Sequence, residues 1–186
     1  MKKKFVFIVP LVFFTLSVLS QNLMPAPEDK AVVYFVRTSS YGFAINFSYF
    51  DSTTLIGVFN GPKYIRYECE PGQHLFWARS ENRDFVEAEL EAGKIYFIEA
   101  LVKMGAVKAG VELIPVNADD TKKMEKIFKL LNKKTSESYT EDELKNETIR
   151  LQGAIDRGLD KYEKDKSSGV KYPKLLKSMY YKGVEL

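Results

Sequence analysis

The chain has few of the residues that carry most enzyme chemistry. Its 186 residues include one cysteine, one histidine and one tryptophan, which are Cys69, His74 and Trp77. A single cysteine excludes a disulfide within the chain, and one cysteine with one histidine is too few for an ordinary structural zinc site. The glycines form no dinucleotide-binding or phosphate-binding loop, and no Gly-x-Ser-x-Gly nucleophile motif occurs. The sequence therefore predicts no catalytic residues, no cofactor and no metal.

The chain also lacks an excess of one charge once its first residues are set apart. Three of the 28 lysines and arginines lie within the first 20 positions, which leaves 25 basic against 25 acidic residues in the remainder. A formally neutral chain gives no general electrostatic reason to bind nucleic acid. We therefore predict no nucleic-acid partner.

The first 20 residues have the pattern of a secretory signal peptide. Lysines at positions 2–4 precede an apolar run over residues 5–19, which Pro10 interrupts. The run is shorter than the roughly 20 residues that span a bilayer, so a cleaved signal is favoured over a retained anchor. We expect cleavage between Ser20 and Gln21, and export to the periplasm or the cell surface. No cysteine follows the run, which excludes lipid attachment at a lipobox cysteine.

Residues 31–116 read as a series of short strands after an extended linker over residues 21–30. The segments are β-branched, aromatic or alternating, and Gly, Pro, Asn and Asp separate them, which predicts an antiparallel β-sandwich of about eight strands. Asn60-Gly61 is a hairpin signal, and Pro71-Gly72 is interpreted as the turn of another hairpin. The predicted strands cover 31–38, 45–51, 54–59, 63–70, 73–80, 84–90, 94–102 and 111–116.

From residue 117 the apolar period becomes helical. Four apolar residues at i, i+3, i+4 and i+7 predict an amphipathic helix, and they are Met124, Ile127, Phe128 and Leu131. We predict a two- or three-helix C-terminal extension over residues 117–186, in which the first two helices pair as a hairpin. The segment over residues 174–186 is expected to form a short basic helix or a docked tail.

The second predicted helix has a clear start and two weak positions. Thr140 and Glu143 have the spacing of a capping box, in which each side chain bonds the other residue's backbone N–H. Gly153 and Gly158 are expected to weaken this helix by roughly 1 kcal/mol each relative to alanine.

The rare residues around Pro71-Gly72 are predicted to be structural. Strand alternation places Cys69 toward the core, where an apolar environment makes a thiol a poor nucleophile. His74 follows the predicted hairpin turn and alternates with Leu75 and Trp77, which are expected to face inward. Cys69 and His74 are therefore expected on opposite faces of one hairpin, where they would not share a proton.

The segment SSYGFAIN (39–46) places Tyr41 and Phe43 around Gly42 in a loop that follows Arg37. Aromatic side chains on a loop can form a ligand platform. We take Arg37, Tyr41 and Phe43 as the candidate platform. A loop that folds back to cap the sheets is the commoner meaning of such a segment.

Two other patterns suggest alternative functions. Paired acidic residues on strands could flank a sugar, although a solvated strand face is the commoner meaning, and they are Glu68, Glu70, Glu87 and Glu89. Lysines and tyrosines interleave in the tail and could contact a lipid surface, and they are Lys171, Tyr172, Lys174, Lys177, Tyr180, Tyr181 and Lys182.

Residues 30–116 resemble a bacterial family known as domain of unknown function 2846. The shared features are Tyr34-x-x-Arg37, a glycine-containing turn in LIGVFNGPKYI, Pro71-Gly72-x-His74, and the strand after Gly93-Lys94-x-Tyr96. The resemblance implies an exported, often lipid-anchored small β-sandwich without an assigned activity or catalytic residues. The chain departs from it by lacking the lipobox cysteine and by carrying the helical extension. The Pro-Gly-x-His segment is also similar to PEGA-type surface modules.

These observations favour an exported, non-enzymatic cell-envelope protein with a binding or scaffolding module. The expected partner is another envelope protein or a cell-wall glycan. A glycan-directed hydrolase that uses acidic strand residues is one alternative. A peripheral membrane protein that uses the lysine- and tyrosine-rich tail is the other.

Overall fold

The computed structural model describes residues 23–104 and 109–183. These residues form a mainly β structure with two C-terminal α-helices, α1 and α2, and one 3-10 helix, η1. In chain order the elements are β1 (Ala31–Val36), β2 (Phe47–Asp51), β3 (Thr54–Phe59), β4 (Tyr64–Cys69), β5 (Gly72–Arg79), β6 (Arg83–Leu90), β7 (Ile95–Met104), β8 (Ala109–Val116), α1 (Thr121–Leu131), α2 (Glu141–Ser167), β9 (Lys174–Leu175) and η1 (Lys177–Met179). The eight strands predicted from the sequence coincide with β1 to β8, and β9 was not predicted.

The strands form two mixed sheets, so the prediction of a purely antiparallel arrangement is wrong. One sheet has the order β4-β1-β7-β8 and the other β3-β2-β5-β6-β9. Two of the pairs are parallel, β1 with β7 and β6 with β9. In each parallel pair the strands are far apart in sequence, so no tight turn imposes an antiparallel direction on them.

The two predicted hairpin turns connect the sheets instead of pairing neighbouring strands. β3 and β5 belong to the five-stranded sheet, whereas β4, which lies between them in the chain, belongs to the other sheet. Gly61 and Gly72 do adopt positive φ values of 64° and 124°, so both are turn residues as predicted. The hairpin interpretation of both turns is wrong because a turn signal fixes a reversal of the chain and not its pairing partner.

The two sheets share one apolar core, in a sandwich-like arrangement. Phe35 of the four-stranded sheet packs against Tyr49 and Phe76 of the five-stranded sheet, with ring centroids 5.7 and 5.3 Å apart. Alternate residues of β1 face away from this core and form a second cluster with α1. Burial on both faces explains why AVVYFV is an unbroken apolar run and does not alternate.

The two helices do not pair with each other, contrary to prediction. Met124, Ile127 and Leu130 of α1 cover the outer face of the four-stranded sheet. Leu151 and Ile155 of α2 cover the outer face of the five-stranded sheet, above Trp77. The predicted capping box of α2 is confirmed, with Thr140 and Glu143 bonded to each other's backbone N–H groups. The apolar face of each helix therefore packs on a sheet and not on the other helix.

The segment between the helices protects the edges of both sheets. The N–H of Glu137 donates to the carbonyl of Tyr64 on β4, at 2.8 Å. The Tyr139 hydroxyl donates to the carbonyl of Val58 on β3 and accepts from its N–H, at 2.6 and 3.2 Å. Unpaired strand edges promote association between chains, and this segment supplies partners for two of them.

The C-terminal segment is docked, which was one of the two arrangements expected for it. Leu175 in β9 is fully buried in the core between the sheets. The N–H of Tyr181 donates to the carbonyl of Ile95 at 2.8 Å. The short β9 strand was missed because two residues are too few to show alternation.

The two glycines of α2 give a matched test of how this helix packs. A Cβ on Gly158 would lie 2.6 Å from Cη2 of the buried Trp77 ring, whereas at Gly153 the nearest atom is Nη1 of Arg157, at 3.4 Å. Gly158→Ala should therefore lower the free energy of unfolding by about 1–3 kcal/mol, because the helix must move off the ring. Gly153→Ala should instead raise it, by up to about 1 kcal/mol. Urea unfolding of the two variants measures both, and equal effects would contradict the close packing on Trp77.

Candidate functional site

Arg37 fixes the loop that follows β1. Its side chain is 0% exposed and points into the core between the sheets, like Phe35 two residues earlier. The guanidinium donates to the backbone carbonyls of Ile45, Gly42 and Tyr41, at 2.6, 2.5 and 3.3 Å. Its Cζ also lies 4.3 Å from the centroid of the Phe47 ring. The structure thus makes Arg37 the internal support of the loop, not a surface contact.

The same loop presents two aromatic rings to solvent. Tyr41 and Phe43 are 56% and 68% exposed. Gly42 between them has φ of +63°, and a Cβ there would lie 2.9 Å from Cγ2 of Val102 on β7. The backbone therefore packs directly on the sheet while the neighbouring rings point outward. The loop backbone thus folds back onto the sheet, as one of the two predictions describes, while the Tyr41 and Phe43 side chains stay exposed.

Met104, near the same end of β7, is a further exposed apolar residue that sequence reasoning did not single out. Met104 lies two residues beyond Val102 on β7 and is 66% exposed. Strand alternation puts it on the same face as Val102, which the loop contacts. An apolar residue at the end of β7, directly after Lys103, was the available signal.

The lone histidine forms a second polar cluster, at the corner where β4 passes into β5. Its Nδ1 lies 2.7 Å from Oδ2 of Asp51, and its Nε2 lies 2.8 Å from the carbonyl oxygen of Glu70. The Tyr67 hydroxyl donates to the same Asp51 oxygen, at 3.2 Å. The imidazole stacks on Phe76, with centroids 5.3 Å apart and an angle of 6°. The ring thus faces the shared core.

This position corrects the predicted separation of Cys69 and His74. Cys69 is buried, as predicted, but the two residues belong to facing sheets and both point into the same core. The hydrogen bond with Asp51 raises the pKa of His74 to about 10, and the interaction with Cys69 is the next contribution. Leu75 and Trp77 are on the opposite face, under α2.

The hydrogen-bond partners of His74 determine its protonation state. A backbone carbonyl only accepts hydrogen bonds, so Nε2 of His74 must carry a proton. A pKa of about 10 keeps the second proton on Nδ1, facing Asp51, at neutral pH. His74 is therefore an imidazolium with both N–H groups in use, which leaves no lone pair to act as a base.

A cleft of about 540 Å3 brings His74 together with the acidic residues Glu87 and Glu89. Glu87 accepts from the Tyr162 hydroxyl at 2.9 Å and from Lys166 at 2.5 Å. The bond with Lys166 is the main reason that the pKa of Glu87 is lowered. Glu89 pairs with Lys177 at 3.0 Å. A general acid needs a raised pKa, so this arrangement suits ion pairing.

The lysines of the tail are also engaged within the molecule. Lys174 and Lys182 pair with Glu87 and Asp119, at 3.7 and 3.2 Å. Together with the pair between Lys177 and Glu89, these contacts fasten the tail to β6 and to the start of α1. The tail therefore uses much of its charge for docking.

Across residues 23–104 and 109–183, no helix combines the length and the apolar character needed to cross a bilayer. The same residues contain no cluster of three or more His, Cys, Asp or Glu side chains arranged to hold a metal ion. The expected cleavage position, Ser20 and Gln21, lies outside the described residues.

Comparison with known proteins gave no match, either to models of protein families or to curated protein sequences. The resemblance to domain of unknown function 2846 and to PEGA-type modules therefore stays a prediction.

Proposed function

We propose that this chain is an exported, non-enzymatic cell-envelope protein in which a β-sandwich presents the loop over residues 38–46 as its binding surface. The observation that carries the proposal is the pair of exposed rings, Tyr41 and Phe43, on a loop held from beneath by a buried arginine. The partner is another envelope protein or a cell-wall glycan.

Two features of the loop support this proposal: its backbone is held in place from the inside, and its aromatic rings are exposed on the outside. Three hydrogen bonds from Arg37 and the close packing of Gly42 restrict the backbone before any ligand arrives. A pre-ordered loop loses less conformational entropy on binding. Aromatic rings supply large contact areas with few rotatable bonds, and they are enriched where proteins bind proteins. They also offer flat apolar faces to sugar rings.

The rival functions have less support from the arrangement of their residues. The hydrolase alternative would use acidic residues that are held in ion pairs, among them Glu87 and Glu89. The tail alternative would use lysines that already bind carboxylates of the same chain, among them Lys174 and Lys182. The loop's aromatic side chains have no comparable role in packing.

The test compares the double variant Tyr41→Ala/Phe43→Ala with the unchanged protein. Binding is measured by co-sedimentation with purified peptidoglycan and by cross-linking to isolated envelope proteins. We expect the double variant to lose at least about tenfold in affinity in one of these assays, because exposed aromatic anchors commonly contribute more than 1 kcal/mol each. The assay that responds identifies the partner class.

The matched control is Ile149→Ala, which removes a similarly exposed apolar side chain from α2. It should bind like the unchanged protein. Circular dichroism and thermal unfolding should be the same for all three proteins, because none of the replaced side chains is in the core. Unchanged binding by the double variant, or an equal loss in the control, would reject the loop as the binding surface.

A further inference from the structure

The outward face of α1 carries a line of lysines. Lys122, Lys126 and Lys129 are spaced i, i+4 and i+7, which places them along one side of the helix. All three are exposed. The apolar residues Met124, Ile127 and Leu130, which are buried against the four-stranded sheet, lie on the other side. The lysine side therefore points away from the rest of the molecule.

Three lysines of the tail, Lys174, Lys177 and Lys182, pair with acidic side chains. Among the ion pairs of the described residues, none includes a lysine of residues 121–134. This segment contains six lysines and a single acidic residue, Glu125. Like charges at i and i+4 repel one another and weaken a helix. The described part of the chain thus leaves a positive surface on α1, which Glu125, three residues after Lys122 and four before Lys129, offsets only in part.

The start of the described chain lies beside the same helix. Leu23 packs against the cluster beneath α1. Met24 is 61% exposed and lines, with Phe128 and Leu131, a cavity of about 230 Å3. The start of the described chain therefore contacts α1 through apolar side chains.

We infer that the lysine face of α1 docks on a membrane surface that contains anionic phospholipids. A flat array of point charges suits a diffuse layer of headgroups, whereas close recognition of single phosphates favours the planar fork of arginine. Residues 119–138 contain six lysines and no arginine. This inference is independent of the binding loop and assigns the membrane contact to a segment other than the tail.

The test is vesicle co-sedimentation with the chain that begins at residue 21. This chain retains every described residue and lacks the apolar run, so the run cannot cause binding. We expect binding to equimolar phosphatidylcholine and phosphatidylglycerol vesicles, and little to phosphatidylcholine alone. Each lysine near an anionic surface contributes about 1 kcal/mol, or roughly fivefold in partitioning. Lys122→Gln/Lys126→Gln/Lys129→Gln should therefore bind about 100-fold more weakly.

The matched control is Lys145→Gln/Lys164→Gln/Lys171→Gln, which removes the same charge from exposed lysines outside α1. It should retain most of the binding. At 1 M salt, where the Debye length falls to about 3 Å, binding of the unchanged protein should be lost. Three results would each overturn the inference: no binding to the anionic vesicles, an equal loss in the control, or tighter binding to duplex DNA than to the vesicles.

Discussion

Replacing Arg37 by methionine should lower the free energy of unfolding by about 3–5 kcal/mol, because it leaves three carbonyl acceptors without their donor. Arg37 is fully buried, and burial lowers the pKa of its guanidinium. The charge is accommodated by carbonyls of the loop and by the Phe47 ring. Methionine fills part of the volume of the arginine side chain. The decrease in the free energy of unfolding therefore reflects the lost polar contacts more than the formation of a cavity. Urea unfolding followed by tryptophan fluorescence gives the value.

Two further variants make this result specific. Arg37→Lys keeps the charge but has no planar fork to reach several carbonyls, so its stability should fall between those of the unchanged protein and Arg37→Met. Arg150→Met removes an arginine that is largely exposed and should cause no measurable loss. A loss below about 1 kcal/mol for Arg37→Met would mean that the loop does not depend on the arginine.

The burial of Arg37 could have been predicted from alternation. Val33, Phe35 and Arg37 share one face of β1 and its continuation, and the first two are core residues. Arg37 was assigned to the ligand platform because it lies next to the loop. That assignment ignored the alternation along β1, which puts Arg37 on the buried face. The exposure of Tyr41 and Phe43 is harder to predict from the sequence, because it depends on how Gly42 packs against β7. That contact joins residues far apart in the sequence.

The apolar period of α1 predicted that the helix packs on something, but it did not predict which part of the molecule it packs on. The apolar stripe of α1 required a partner, and the sequence offered both α2 and the sheets. The deciding information lay in β1, whose residues are buried on both faces. An unbroken apolar strand needs cover on each side. Such a strand already indicates a layer beyond the two sheets.

At the corner around Pro71-Gly72, alternation likewise could not predict which side chains face the shared core. In QHLFWA, Leu75, Phe76, Trp77 and Ala78 are all apolar, so alternation cannot say which pair faces the shared core. The structure places Phe76 in that core and Trp77 under α2. His74 therefore shares the face of Phe76 and meets Asp51, which lies on a strand that no local pattern links to it.

The contact between His74 and Asp51 should make stability fall as the pH rises. Its contribution is fully present below the unfolded pKa of about 6.5 and is lost as the pH rises through about 10. Between these values the folded state holds one proton more than the unfolded state. His74→Gln should therefore be less stable than the unchanged protein by on the order of 3 kcal/mol near pH 6. This difference should shrink steadily toward pH 10.

Comparing variants at each pH isolates the histidine, because the other titrating groups contribute almost equally to both proteins. Asp51→Asn should show the same loss near pH 6, since it leaves the imidazolium without its carboxylate and Tyr67 without an acceptor of full charge. Glu89→Gln, which breaks a half-exposed pair with Lys177, should follow the unchanged protein at every pH. A constant difference between pH 6 and pH 10 would show that His74 is not protonated in the folded state. The corner would then be held by the neutral ring's hydrogen bond to the Glu70 carbonyl, by the bond between Tyr67 and Asp51, and by stacking on Phe76.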